Sequence, residues 1–520
     1  MATRSYFIST TIPYVNGEPH LGHVLEYIQS DCFARWHRLA GEEVFYLTGS
    51  DENSLKNALA AEREGVAVPD LVARNARHFE DLAGIFTLSW DYFIRTSSDP
   101  LHLAGAVKMW QRLEAAGDLY TQRYEGLYCV GCEQFYTEDE LVEGLCPERH
   151  LPPPELVEEE NHFFRLSRYA QPLVEAIESG RMTILPPGRR NEVLSFLRGE
   201  VRDISVSRSQ TRAHGWGIPV PGDPTQVMYV WIDALTNYIN ALDYAAEGAL
   251  FERFWAGVGS RVHTLGKGVI RFHAVYWPAM LLSAGVALPT TLFVHEYVNS
   301  GGQKMSKSAG GWADPGELAA RYGVDAVRHF LLAEMPLTQD LEYTERRLVE
   351  RYNTDLANGL GNLLNRTLTM VGRYRDGVVP IPADPLGAGA ADLPAVAARV
   401  GATVAAAMAA YDHRTAVASI WELVRRANGY IEESAPWKLA AAGEAAELDL
   451  VLHTVVEALR IIALQLRAFL PTTSGRILAQ LAPGAADTIA APMVWGRSLA
   501  GQRTAAPEPI FPRVLALPDA

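Results

Sequence analysis

The hydrophobic pattern opens with a short β-rich run from Tyr6 to Thr11 that ends at Ile12-Pro13-Tyr14. After a loop carrying Asn16-Gly17 and Pro19, the apolar spacing becomes that of an amphipathic helix, from about Leu21 to Leu39. Val44-Phe45-Tyr46-Leu47-Thr48-Gly49 reads as the next buried strand, with Ser50-Asp51 at its carboxyl end. Strand, helix, strand in this spacing is a βαβ unit, and ligands of such sheets sit beyond the carboxyl ends of the strands. Asp51 is therefore placed either to reach a ligand or to cap the helix that follows.

From about Thr121 to Pro224 turn residues, prolines and acidic runs dominate, including Pro152-Pro153-Pro154 and Glu158-Glu159-Glu160. This reads as an insertion into the α/β fold. The βα pattern resumes at Tyr229-Val230-Trp231-Ile232, again at Val262-His263-Thr264-Leu265-Gly266, and once more at Thr291-Leu292-Phe293-Val294-His295. After roughly Asp325 the chain is helical, with Leu356, Leu360, Leu364 and Leu368 recurring every fourth residue. The expected organisation is a catalytic first half over 1–120, an insertion over 121–224, a catalytic second half over 225–325 and a helical domain over 326–520.

Composition narrows the class. The 520 residues are 48% hydrophobic and 21% charged, a globular profile with length for several cores. The net charge of −15 argues against a generally basic nucleic-acid surface. The stretch from Arg346 to Arg375 is the exception, with six arginines against two acidic residues. Between Ala274 and Val294 no residue is charged, but Pro278, Gly285 and Pro289 interrupt the run. It reads as a buried helix and a buried strand rather than a membrane span. The N-terminus lacks the apolar core of a signal peptide, and four cysteines do not make a secreted disulfide framework, so a cytoplasmic enzyme is expected.

Two short motifs carry chemistry. His20-Leu21-Gly22-His23 stands where the first strand gives way to a helix, and a helix start favours anions. Lys304-Met305-Ser306-Lys307-Ser308 follows Gly301-Gly302, a glycine-hinged loop with two cations suited to a polyphosphate. Each alone is weak, and the lysine loop in isolation reads more readily as a solvated turn. In this order, either side of an insertion, they describe an ATP site that activates a carboxylate. A third motif is Cys129-Val130-Gly131-Cys132 followed by Cys146 and His150, which has the spacing of a structural Zn²⁺ knuckle.

The paired signatures resemble those of class I aminoacyl-tRNA synthetases, and the rest of the chain resembles the methionyl family over essentially its whole length. The resemblance is carried by Tyr229-Val230-Trp231-Ile232-Asp233-Ala234-Leu235-Thr236-Asn237-Tyr238, by Gly266-Lys267 with Arg271-Phe272-His273 and Trp277-Pro278-Ala279-Met280, and by Gly361-Asn362-Leu363-Leu364-Asn365-Arg366 and Ala435-Pro436-Trp437. Pro507-Glu508-Pro509-Ile510-Phe511-Pro512-Arg513 resembles the family's C-terminal core. The resemblance implies a Rossmann-type parallel-sheet catalytic domain, split by a connective insertion with a zinc-knuckle-like segment, followed by an all-α anticodon-binding domain. It implies methionine, ATP with Mg²⁺ and tRNA(Met) as partners, a structural Zn²⁺, and a monomer without membrane attachment.

By the same similarity His20, His23, Lys304 and Lys307 are catalytic, and Gly22, Gly266, Lys267, Ser306 and Ser308 bind ATP. Ile12, Tyr14, Asp51, Trp231, Ala234, Tyr238, His273 and Trp277 hold the amino acid. Asn362, Arg366 and Trp437 meet the anticodon, and Cys129, Cys132, Cys146 and His150 ligate the metal. Aromatic rings suit a polarisable thioether, and an indole with amide and guanidinium neighbours suits splayed bases.

Several residues depart from the family pattern. Asn53-Ser54 stands where His-Gly is usual, Gly268 where an Asp is usual, Glu296 where a glycine is common, and Thr11 where a small apolar residue is frequent. They keep two alternatives open. One is a divergent paralogue that activates another amino acid for a specialised pathway or confers inhibitor tolerance. The other is a tRNA-binding protein with an impaired active site.

Overall fold

The computed structural model describes residues 4–131, 134–147, 149, 152–257, 259–300, 303–304, 313–384, 392–484, 495–496 and 499–515. The chain forms two compact units, each drawn from three stretches. The first comprises Met1–Pro19, Ala40–Ala83 and Ser89–His295; the second comprises His20–Leu39, Gly84–Leu88 and Glu296–Ala520.

The first unit is built on six parallel strands: β1 (Ser5–Ser9), β2 (Glu43–Ser50), β3 (Tyr92–Arg95), β4 (Thr183–Leu185), β5 (Gly259–Gly266) and β6 (Thr291–His295). Their order is β3-β2-β1-β5-β6-β4. All five residues of β1 are buried, as the unbroken apolar run of a strand covered on both faces requires. The order reverses between β1 and β5, and it is beyond the carboxyl ends at such a switch that α/β sheets bind ligands. Here those ends lead into Thr10–Tyr14 and Gly266–Gly268.

The turn-rich segment folds mainly as antiparallel sheet. Leu119–Cys129 pairs with Glu155–Phe164 along ten residue pairs, flanked by Gln134–Tyr136 and Ile204–Ser205. From within the same segment, Thr183–Leu185 returns to the edge of the parallel sheet as β4.

Tyr229–Ile232 corrects the hydrophobic reading. The strand there is Asp223–Met228, which pairs antiparallel with Ser207–Ser209 outside the parallel sheet. Tyr229 is the N-cap of the helix Val230–Asn240. A four-residue apolar run has no period by which a strand can be told from a buried helix. The uncharged stretch from 274 holds the helix Trp277–Ser283 and then β6, as expected. No helix among the described residues is long and apolar enough to cross a membrane.

The second unit is mainly helical. Leu21–Leu39 is buried almost all round over its first four turns, including the polar Glu26, Gln29, Ser30 and Asp31. With it belong Val324–Glu334, Asn362–Arg375, Leu393–Ala409, His413–Ser434, Ala445–Leu466 and Pro471–Leu481. Arg328, wholly buried, ties its own helix to Leu21–Leu39 and to two connecting stretches of this unit. It donates to Asp31 Oδ2 at 2.8 Å and to the carbonyls of Phe469 at 2.8 Å, Phe86 at 3.2 Å and Ala468 at 3.4 Å. His413 adds a second tie, Nε2 to the Gln29 carbonyl at 3.1 Å.

The arginine-rich stretch is largely committed within the protein. Arg346 pairs with Glu350, Arg347 and Arg351 with Glu334, Arg366 with Glu432 and Arg375 with Asp449. Carboxylates mostly from elsewhere in the sequence offset what a local charge count shows as a basic helix. Tyr352 and Asn353 hold the C-terminal core segment: Tyr352 Oη donates to the Pro512 carbonyl at 2.8 Å, and Asn353 exchanges two bonds with the Val514 backbone.

Candidate active site

Helical spacing builds the ring cluster that the resemblance assigns to the amino acid. Trp231, Ala234 and Tyr238 lie three and four residues apart on Val230–Asn240 and share one face. His273 and Trp277 are also four apart, across the π-helical turn Phe272–Tyr276, a local widening often found at functional sites. The structure brings five of the expected residues into one chain of rings. Tyr14 meets Trp231 edge-on at 6.2 Å, Trp231 meets His273 at 6.3 Å, His273 meets Tyr238 at 5.7 Å, and Tyr238 meets Trp277 at 6.0 Å. Ile12 lies half-buried in the loop leading to Tyr14.

Two members of this cluster are absent from the residues expected above. Phe272 stacks flat on Trp231 at 3.7 Å, and His263, on β5, lies against Tyr238 at 4.1 Å. The only signal for His263 was an imidazole inside an apolar strand, which by itself more often marks a satisfied core residue.

Hydrogen-bond chemistry sets the tautomers. His273 Nδ1 lies 2.9 Å from the Val269 carbonyl, which only accepts, so Nδ1 carries the proton. Nε2 then accepts from the Tyr238 hydroxyl at 2.7 Å. Trp277 Nε1 only donates and points at His263 Nε2 at 3.2 Å, so the His263 proton is on Nδ1 and is donated to Ser9 Oγ at 2.7 Å. Burial, with His273 nearby, holds His263 well below the ordinary histidine pKa, in keeping with a neutral ring.

Asp51 is almost wholly buried and bridges in parallel to Tyr14, its N–H donating to the Pro13 carbonyl at 2.9 Å. The cap of the next helix, Leu55–Glu64, is Ser54, whose Oγ accepts from Lys56 N–H at 3.0 Å. Capping therefore does not account for Asp51. Lys56 places its ammonium 4.5 Å from the centre of the Tyr14 ring.

Two of the departures from the family pattern, Asn53 and Ser54, have defined partners. Asn53 donates to the Thr96 carbonyl at 3.2 Å and to the Asp233 carboxylate at 3.3 Å, while Ser54 supplies the cap. Gly268 lies in the 3₁₀ turn Lys267–Val269, directly after Gly266 at the end of β5. Glu296 is buried in the second unit.

The phosphate-type motifs fall in the second unit. The His20 and His23 rings stack at 3.8 Å with their planes 18° apart. His20 Nδ1 accepts from Gly22 N–H at 3.1 Å, and His23 Nδ1 accepts from His20 N–H at 3.2 Å. Each neutral ring therefore carries its proton on Nε2. A Cβ at Gly22 would stand 2.9 Å from His20 Cε1, so glycine is what lets this ring fold back. Lys304 pairs through its backbone with Asn299 in a small sheet completed by Leu341–Glu342. Ser306, Lys307 and Ser308 lie outside the described residues.

Asn362 is exposed at the start of its helix, with Arg366 one turn on in an ion pair to Glu432 at 2.7 Å. Trp437 is 41% exposed, at the start of the helix Pro436–Ala442. In the other unit, Cys129 and Cys146 are buried in one small cluster with Tyr136. A tight hairpin over Val142–Leu145, with Glu143 and Gly144 both at positive φ, precedes Cys146. Two thiols in one pocket suit half of a tetrahedral zinc set. Cys132 and His150 lie outside the described residues, and no group of three potential metal ligands occurs among the described ones.

A parallel sheet broken by an inserted segment, ending in a helical unit and carrying these motifs, defines a class I aminoacyl-tRNA synthetase. The family model for class I tRNA synthetases (M) matches residues 6–152 and 151–368. The chain is 40% identical over 524 residues to the methionine–tRNA ligase of Brucella melitensis, covering 99% of this chain and 98% of the relative. It is 42% identical over 483 residues to that of Mycobacterium tuberculosis, covering 91% of each. The crystal structure of the Mycobacterium tuberculosis methionyl-tRNA synthetase bound by methionyl-adenylate superposes with a TM-score of 0.91 at 40% identity, over 98% of this chain and 100% of that one. The chain belongs to the methionyl family of class I tRNA synthetases.

Proposed function

We propose that the protein is a methionine–tRNA ligase. It forms methionyl-adenylate from methionine and ATP and transfers the methionyl group to the 3′ end of tRNA(Met). The observation that carries this reading is the chain of rings Tyr14–Trp231–His273–Tyr238–Trp277, in a protein related along its whole length to methionine–tRNA ligases. These rings and Ala234 take the thioether side chain, with Ile12 beside them. A thioether makes favourable contacts with aromatic rings and accepts hydrogen bonds only weakly.

The methionine carboxylate attacks the α-phosphorus of ATP and pyrophosphate leaves. No covalent enzyme intermediate is needed, so the residues act by positioning and by offsetting charge. In this reading Asp51 holds the α-ammonium group. His20 and His23 donate from Nε2 to phosphate oxygens, and Lys304 and Lys307 neutralise the departing pyrophosphate. Gly22, Gly266, Lys267, Ser306 and Ser308 complete the ATP contacts. Asn362, Arg366 and Trp437 read the splayed anticodon bases. The reading includes ATP as its Mg²⁺ complex, a cytoplasmic monomer, and a zinc held by Cys129, Cys146, Cys132 and His150 that staples the insertion.

Amino-acid-dependent ATP–pyrophosphate exchange tests the proposal. Methionine is expected to stimulate exchange, and tRNA(Met) to be charged. Exchange with a different amino acid, or tight tRNA binding without exchange, would overturn it.

A further inference from the structure

His263 contributes no atom to the pocket residues named by resemblance, yet it touches two of their rings. It is fully buried at the centre of β5. One ring nitrogen takes the Trp277 indole N–H and the other reaches Ser9 on β1, at 3.2 and 2.7 Å. Its ring face lies 4.1 Å from Tyr238, tilted by 41°, and Trp255 and Phe7 enclose it at 5.8 and 6.3 Å. Only a neutral imidazole offers one donor and one acceptor at two ends of a rigid ring. Here those ends join two neighbouring strands to the helix that begins at Trp277. Tyr238, braced on that ring, directs its hydroxyl to His273 Nε2 at 2.7 Å.

We infer that His263 is a positioning residue for amino-acid selectivity: by fixing Trp277 and Tyr238 together, it sets the shape of the cavity that receives the thioether. This rests on the proposed methionine specificity. Two of the polar pairs in the pocket are made internally, Tyr238 with His273 and Trp277 with His263, which turns these side chains' polar atoms toward one another. Removing the imidazole leaves the Trp277 N–H and the Ser9 hydroxyl without these partners and frees both rings to shift.

The test compares His263→Phe, His263→Gln and Ser9→Ala in steady-state ATP–pyrophosphate exchange with methionine and with norleucine, its isostere with CH₂ in place of sulfur. His263→Phe keeps a ring and loses both bonds. It is expected to raise KM for methionine about tenfold, the factor for one buried hydrogen bond, and to narrow the preference for methionine over norleucine. KM for ATP is expected to stay within about twofold, because no phosphate group is involved. His263→Gln, whose amide oxygen reaches toward Trp277, is expected to recover part of the loss. If His263→Phe does not fold, Ser9→Ala carries the test, with a smaller rise in KM for methionine and the same separation from ATP. A methionine-to-norleucine ratio equal to that of the unaltered protein, or KM values for methionine and ATP that rise together, would overturn the inference. Absence of methionine-dependent exchange in the unaltered protein would instead remove the functional reading beneath it.

Discussion

Asp31 and Arg328 meet at 2.8 Å with neither side chain exposed, although 297 residues separate them. Asp31 lies on the helix that begins beside His20 and His23, and Arg328 lies in the helical C-terminal part. Breaking such a pair from one side strands a buried charge, at a cost of about 3–5 kcal/mol. Arg328→Met and Asp31→Asn are each expected to lower unfolding stability by that order in urea titrations followed by helical circular dichroism. The double variant Asp31→Leu, Arg328→Met is expected to recover part of the loss. Additive losses would show that the two groups act independently.

Cys32, next to Asp31, is buried, and burial pushes its thiol up to about 12. The thiolate is the reactive form, so this thiol is expected to be silent toward a disulfide reagent at pH 8 in the folded protein. It should react fully in denaturant. A variant that keeps Cys32 as its single cysteine isolates the measurement.

His413 has its pKa lowered to about 4, chiefly by burial, against 6.5 for the free side chain. The unfolded chain therefore binds the extra proton between those values while the folded one does not. Stability from this group is complete above about pH 6.5 and falls as pH drops toward 4, by up to roughly 1.4 kcal/mol per pH unit. The measurement is the unfolding free energy across that window. His413→Gln, which keeps an amide near the Gln29 carbonyl, should flatten the slope; an unchanged slope would assign it to other groups.

Tyr238→Phe removes the hydroxyl that His273 Nε2 accepts, while keeping the ring. Loss of about 0.5–1.5 kcal/mol predicts a roughly twofold to tenfold higher KM for methionine in pyrophosphate exchange. The melting temperature should change little, and a KM equal to the parent's would remove this bond from the pocket's design.

Gly105 faces the amide of Asn240, which is itself held by Thr236 Oγ1 at 2.7 Å and the His102 carbonyl at 3.2 Å. A methyl group would overlap that amide, which cannot swing away without losing both bonds. Gly105→Ala is expected to destabilise the protein by about 1–3 kcal/mol in thermal or urea unfolding, despite the better helix propensity of alanine.

Much of this architecture can be read from local pattern. The helix Leu21–Leu39 and the strand Thr291–His295 fall where apolar spacing and breakers place them. So does the shared face of Trp231, Ala234 and Tyr238, once the segment is taken as helical. What pattern does not reveal is long-range. The hydrophobic pattern alone places a strand too late, at Tyr229–Ile232, because four apolar residues have no period, whereas the resemblance makes Tyr229–Tyr238 a pocket helix, and the structure has the helix Val230–Asn240. His263 went unnoticed because its meaning comes from Ser9 and Trp277, and the six arginines after 345 read as basic because most of their partner carboxylates come from elsewhere in the chain. Asn53 and Ser54 looked like defects until Asp233 and the backbone of Lys56 supplied their roles.

The bond between Asp31 and Arg328 also has a consequence in time. During synthesis Asp31 leaves the ribosome 297 residues ahead of Arg328, which at about 5–20 residues per second is roughly 15–60 s. Throughout that interval a helix made to be buried on nearly every side, with a carboxylate at its middle, has no completed unit to join. Its neighbours in sequence belong to the other unit, so this helix waits for the C-terminal part to complete its own.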